Sequence, residues 1–173
     1  MDDTNWVDGF KSEIILRNSE NLDRIKVCFS QLNEKQLWHK PNSQTNSVAN
    51  LVLHLRGNIT QYIHSSIGNE PDNRQRDLEF STQSGISKVE LLEKITECVT
   101  KANRIIEQTD KQRLLNREKV QGFEMAGMGN LIHVAEHLSY HTGQIALLTK
   151  LMTEKDLGFY AGIDLNIPNS STK

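Results

Sequence analysis

Four stretches of this 173-residue chain repeat their apolar residues every three or four positions, and the links joining them are very unequal. That spacing is the helical period, and strand-type alternation is scarce. The first stretch, 5–32, carries Val7, Phe10, Ile14, Leu22, Ile25, Cys28 and Leu32 before Pro41 breaks the chain. The second, 47–67, ends at Gly68 and Pro71. The third opens at Ser87, where Ser87-Lys88-Val89-Glu90 fits a capping box. It carries Val89, Leu92, Ile95, Val99, Ala102 and Ile106 and ends near Asp110. The fourth spans 128–152. Stretches one and two are joined by a short polar link, whereas the polar segment 68–86 is long enough to cross a whole end or side of a bundle. The expectation is an all-α protein: a four-helix bundle with a long crossover between helices two and three. Residues 1–168 form one domain, with 117–127 extended and 157–168 an irregular arm or lid. Residues 169–173 are expected to be a disordered tail.

Composition narrows the functional classes. Hydrophobic residues make up 36% and charged residues 24%, with a formal net charge of -2. No basic block suggests nucleic acid as a partner. Mean hydropathy is -0.54, and no segment has the apolar length to span a membrane. The start, Met1-Asp2-Asp3-Thr4-Asn5, is acidic rather than apolar, so a cytoplasmic location is expected. Cys28 and Cys98 lie within helical apolar patterns and read as buried thiols in a reducing compartment.

The chemistry concentrates in the fourth helix. His133, His137 and His141 are half of the six histidines in the chain. His137 and His141 are one helical turn apart and share a face. On a helical wheel His141 lies inside the apolar stripe Val134, Leu138, Ile145, Leu148, Met152, and His137 lies at its edge. Inward imidazoles are satisfied either by hydrogen bonds or by a metal. Their spacing suits two ligands to one divalent ion.

The second helix offers a matching stripe. Beside its apolar face (Val48, Leu51, Leu55, Ile59) run Ser47, Asn50, His54, Asn58 and Gln61. One reading is a solvated edge with an incidental histidine. The other is a pocket wall, with His54 as third ligand and Asn50, Asn58 or Gln61 touching substrate. Tyr140 and Gln144 lie on the His137 side and are further pocket candidates. His133 and Glu136 are candidates to hydrogen-bond the ligands from behind. His39 and His64 read as surface residues, and Trp38 as a core anchor closing one end of the bundle. His133-Val134-Ala135-Glu136-His137 also spells H-x-x-E-H, the inverted zincin pattern, with Glu136 as general base. Such proteases are much larger and take a distal acidic ligand for which little chain remains here.

Asn46-Ser47-Val48-Ala49-Asn50-Leu51-Val52-Leu53-His54-Leu55, together with His133 through Ile145 and its His137-x-x-x-His141-x-Gly143-Gln144 core, resembles the DinB-like (YfiT-like) superfamily of metal-dependent enzymes. Lys155-Asp156-Leu157-Gly158-Phe159-Tyr160 resembles a bacterial subfamily of unassigned function within it. The resemblance implies a bundle in up-down-down-up order and a three-histidine metal site at His54, His137 and His141. It also implies a homodimer, and relatives that are thiol-cofactor transferases or thiol-dependent isomerases. Many members carry arginine after the last histidine, where this chain has Thr142.

Three functions compete. The leading one is a transferase that uses a low-molecular-weight thiol on a small electrophilic substrate. The second is a metal-dependent hydrolase, and the third a non-catalytic, metal-stabilised binding protein. Three imidazoles suit zinc or nickel first, then iron or manganese.

Overall fold

The first apolar period forms one unbroken helix, α1, Asp3–Gln31. The structure, a computed structural model, describes residues 3–169. Most of the expected disordered tail, 170–173, lies outside the described residues. Asn33 starts the short α2, Glu34–Trp38, through a reciprocal capping box with Gln36. Ser47 and Asn50 repeat that device at the start of α3, Val48–Ile59. The helix then widens into a π-helical turn, Thr60–Ser65, where Ser66 N–H donates to the Gln61 carbonyl and Gly68 N–H to that of Ile63. The crossover, 69–86, carries the short helix α4, Arg76–Ser81. Helix α5, Lys88–Gln108, and the Asp110-capped α6, Lys111–Leu115, follow. The segment expected to be extended is an antiparallel hairpin of β1, Arg117–Val120, and β2, Phe123–Ala126, with Arg117 opposite Ala126. It feeds α7, Gly127–Thr153.

Side-chain contacts give the helix directions. Lys88, at the start of α5, reaches the Leu32 carbonyl just past the end of α1, and Lys11 reaches the Glu107 and Thr109 carbonyls. These two helices are antiparallel. Gln36, beyond the end of α1, reaches the Met152 carbonyl near the end of α7, so those two run together. On α3, His54 faces His137 and Asn58 faces His133, which makes α3 and α7 antiparallel. The order is therefore up-down-down-up. Because α3 and α5 point the same way, a short turn cannot join them, and the chain must return along the bundle through residues 69–86.

One contiguous core fills the space between α1, α3, α5 and α7. Its fully enclosed side chains include Ile25, Phe29, Leu55, Ile95, Ile106, Leu131 and Leu138. Each contributes about 1.5–3 kcal/mol of burial free energy relative to exposure. Trp38 packs against this core and donates its indole N–H to the Ile86 carbonyl, tying α2 to the end of the crossover. Beyond α7, Leu157 is buried and Arg24 of α1 lies against the Phe159 and Tyr160 rings, which docks the irregular arm on α1. Among the described residues no helix is long and apolar enough to cross a membrane.

Three sequence expectations need correction. Val89 is 63% exposed and Leu91, at 1%, takes the inward position, and the start of α5 is tied to α2. That tie is the Lys88 N–H donating to the Glu34 carboxylate. The capping box at Ser87 is half made: Ser87 accepts from Glu90 N–H, while the Glu90 carboxylate pairs with Lys94. His64 is buried, not superficial, with Nε2 3.0 Å from the Cys98 carbonyl. The π-helical turn explains the last: each amide reaches back five residues rather than four, so the wheel that orients residues 47–59 no longer applies to position 64.

Gly127 shows how tightly the bundle closes at the hairpin. A Cβ there would lie 2.3 Å from the Arg113 carbonyl oxygen and 3.0 Å from the Leu114 Cα, both backbone atoms. We predict that Gly127→Ala destabilises the protein by about 1–3 kcal/mol through overpacking. Urea denaturation checks this, and an unchanged midpoint would contradict it.

Candidate metal centre

The seam between α3 and α7 is where the polar stripe of one helix meets the histidines of the other. Leu51, Leu55 and Ile59 turn α3 into the core, as Leu131, Val134, Leu138 and Ile145 turn α7. With the core faces fixed, His54 is delivered against His137 and His141. Their ligand-capable atoms all lie within 4.8 Å of one another, and this group could hold a metal ion. His54 Nε2 and His137 Nε2 are 2.9 Å apart. The His54 ring stands edge-on to both others, with centroids 4.9 Å and 5.0 Å away.

The partners of the outer nitrogens set the tautomers. His54 Nδ1 lies 2.8 Å from Glu79 Oε2. His141 Nδ1 lies 2.8 Å from Gln144 Oε1. Both oxygens accept hydrogen bonds and cannot donate them, so each imidazole donates from Nδ1 and Nε2 is the atom left to face an ion. This is the arrangement a metal-binding histidine requires, with the far nitrogen anchored and the near one free to ligate. Burial, reinforced by His141, His54, His133 and Arg74, pushes the His137 imidazolium down to about 3. Burial also lowers His141, with Gln144 opposing and His54 assisting. These two imidazoles are therefore unprotonated near neutral pH, as ligation demands. The donor set is three imidazole nitrogens, which fits a borderline divalent ion such as zinc, nickel or iron.

Behind His54 stands a pair that the periodic segments did not reveal. Glu79 comes from α4 and Arg74 from the chain just before it. Arg74 grips Glu79 with two bonds, Nε to Oε1 at 2.8 Å and Nη2 to Oε2 at 2.9 Å. Their side chains are only 4% and 9% exposed. Burial raises the Glu79 carboxyl, but hydrogen bonds from Arg74 and His54 outweigh it and hold the group below its ordinary value. Glu79 is thus ionised and fully engaged. Phe80 closes the same side, its ring 4.8 Å from that of His54. The sequence did hold one signal. Gly57 lies three residues after His54 in a helix interior, where glycine costs about 1 kcal/mol against alanine. A Cβ there would meet Glu79 Oε1 at 1.9 Å.

The remaining candidates fall into distinct places. Asn50 is not a pocket residue. It is fully buried, caps α3 with Ser47, and donates to the Glu79 and Thr82 carbonyls. Its amide is consumed in holding the crossover. Gln61 likewise links crossover groups, donating to Asp72 at 2.7 Å and accepting from Arg74 at 2.9 Å. Asn58 lies 3.1 Å from His133 Nε2, and its own Oδ1 is buried without a partner. His133 stacks between Tyr62 and His137, at 4.2 Å and 5.3 Å. Tyr140 is exposed, with its ring 5.0 Å from His141. Glu136 is exposed too and lines a groove between α1 and α7, away from the triad. The inverted zincin reading therefore fails: His133 is stacked and bonded to Asn58, and Glu136 faces elsewhere. Thr142 is buried where arginine stands in many DinB-like proteins, so no role of that arginine passes to this chain. Burial raises both cysteine thiols, Cys98 to about 11, and both sit within the core.

This topology is that of a DinB-like four-helix fold. The crystal structure of the DinB-like protein YjoA from Bacillus subtilis is similar, with a TM-score of 0.64 at 15% identity, covering 83% of this chain and 94% of that one. At that identity the likeness speaks for the fold. Residues 4–167 match the family described as Protein of unknown function (DUF1572), and the chain belongs to that family. Comparison with curated proteins gave no match.

The site makes the metal-free protein sensitive to acid. Between the ordinary histidine value of 6.5 and the folded value of about 3, the unfolded chain binds a proton at His137 that the folded chain does not. Stability therefore falls as pH drops through that window. Glu79, also depressed, contributes stability above its ordinary 4.5 that is lost as pH falls through its folded value. We predict a lower urea midpoint at about pH 5 than at about pH 7 for metal-free protein, with a smaller difference in His137→Gln. Equal midpoints for the parent chain would contradict this.

Proposed function

We propose that the chain is a divalent-metal-dependent transferase that passes a low-molecular-weight thiol to a small electrophilic molecule. The observation that carries this reading is the lack of an idle carboxylate beside the three imidazoles, among the described residues. Glu79 is held by Arg74 and His54, and Glu136 is exposed on another side. A carboxylate base beside the ion would speed hydrolysis by taking the proton of water, although the ion alone can also acidify it. A thiol route gains nothing from such a base once the sulfur is deprotonated. A divalent ion with three neutral ligands retains its charge and would favour a thiolate near neutral pH.

The chain's own residues then have separable tasks. His54, His137 and His141 would hold the ion. Glu79 and Gln144 fix the rings of His54 and His141. Tyr140, exposed beside His141, would be the polar side chain nearest an incoming substrate, while Asn58 is buried against His133. The thiol would lose its S–H proton to solvent, its sulfur would bond to the electrophilic carbon, and the leaving group would depart with the bonding pair.

The test pairs metal content with conjugation of a thiol panel to a generic electrophile. His137→Ala is expected to lose metal and transfer together. Gln144→Ala is expected to keep metal with affinity reduced about 10–100-fold, and to transfer more slowly. A His137→Ala protein without metal that conjugates at the parent rate would sink the reading. So would a cobalt-substituted parent whose spectrum no thiol perturbs, and that outcome would favour the hydrolase.

A further inference from the structure

We infer that the crossover is a working part of the metal centre: Glu79 and Arg74 position His54, so ion binding and the docking of residues 69–86 on α3 are thermodynamically linked. This rests on reading His54, His137 and His141 as the ion's ligands. Four observations carry it.

The crossover buries a charged pair, Glu79 and Arg74, with side chains 9% and 4% exposed. An ordinary connection of this length would dock by an apolar face. Here Leu78, the aliphatic residue of α4, is 55% exposed. Apart from Ile86 at its end, which packs against the core, the segment is held by the Glu79–His54 and Glu79–Arg74 bonds, by Asn50 on two crossover carbonyls, and by Phe80 against the His54 ring. Secondly, the Glu79 bond reaches the nitrogen of His54 opposite the ligating one. An ion on Nε2 makes the Nδ1 proton more acidic and strengthens its bond to the carboxylate.

Thirdly, α3 is shaped to receive that carboxylate. The 1.9 Å approach of a Gly57 Cβ to Glu79 Oε1, with Arg74 Nε at 3.0 Å, means that only glycine leaves the seat open. Fourthly, Gln61 extends the same lattice to Arg74 and Asp72, so the crossover is tied along two turns of the helix bearing His54. Linkage is reciprocal: if the docked crossover raises ion affinity, bound ion must stabilise the docked crossover by the same factor.

The experiment uses the full chain, stripped with chelator and titrated with zinc. Zinc affinity is read by competition with a chromophoric chelator, and hydrogen exchange is followed at residues 76–82. In the parent, zinc should slow exchange in that segment. Glu79→Gln and Gly57→Ala should each weaken zinc about 10–100-fold, while Leu78→Ala, on an exposed site, should leave affinity unchanged. Gly57→Ala adds no polar group and removes none, and its Cβ meets Glu79 and Arg74, so its steric effect falls on that pair. Circular dichroism establishes that each variant is folded. If Glu79→Gln fails to fold, Gly57→Ala and exchange in the parent still decide. Parent protein that binds zinc without slower exchange at 76–82 would overturn the linkage alone. Parent-level zinc affinity in folded Glu79→Gln or Gly57→Ala would do the same. Parent protein that takes up no zinc would overturn the ligand reading and the linkage together.

Discussion

A carboxylate shut between a guanidinium and an imidazole organises this molecule's functional end. Burying Glu79 is unfavourable unless every lone pair facing inward is answered, and breaking such a pair typically costs about 3–5 kcal/mol. Arg74 answers both oxygens and His54 answers one. The arrangement constrains its surroundings in turn. Gly57 must remain without a side chain, Gln61 must supply the next acceptor for Arg74, and Asn50 must hold the backbone on either side of Phe80. A polar knot of this kind is specific in a way that an apolar contact is not, because a slip of one residue leaves charges unpaired.

The helix order explains why the knot sits where it does. An up-down-up-down bundle closes each link at an end and leaves its long faces bare. Here α3 and α5 run parallel, so the return segment has to lie along the outside of α3. That places crossover side chains behind the polar stripe of α3 while α7 covers its front. His54 is therefore reached from two sides by segments far apart in sequence, by Glu79 from behind and by His137 and His141 from in front. A helical stripe that would otherwise be a wet edge becomes the interior of a site.

Much of this could be read from the residues. The apolar periods of α1, α3, α5 and α7 give the bundle, and the length of the 68–86 segment gives the crossover. The turn-apart pair His137 and His141 suggests a metal, while His54 reads as readily as a wet edge as a third ligand until the DinB-like resemblance selects the triad. What escaped has physical reasons. Arg74 and Glu79 lie in a stretch without periodicity, where nothing in the sequence says which charges fold inward. Asn50 looks like a pocket amide on a wheel, yet a residue three positions after Ser47 is equally placed to complete a helix cap, and the cap prevailed. Val89 fits the period of α5, yet Leu91, two positions on, takes the inward place. Glu136 completes a protease string in one dimension, although the third dimension turns it away from both neighbouring histidines.

The widened turn at Thr60–Ser65 has a consequence for how the two ends of the α3 segment are phased. An extra residue in one turn rotates everything after it by roughly a quarter to a third of a revolution relative to a continuous α-helix. Upstream, the segment presents His54 to α7; downstream, it presents His64 to the Cys98 carbonyl on α5. The turn thus works as a phase shifter between two neighbours of one rod, letting a single helix serve different partners with imidazoles ten positions apart.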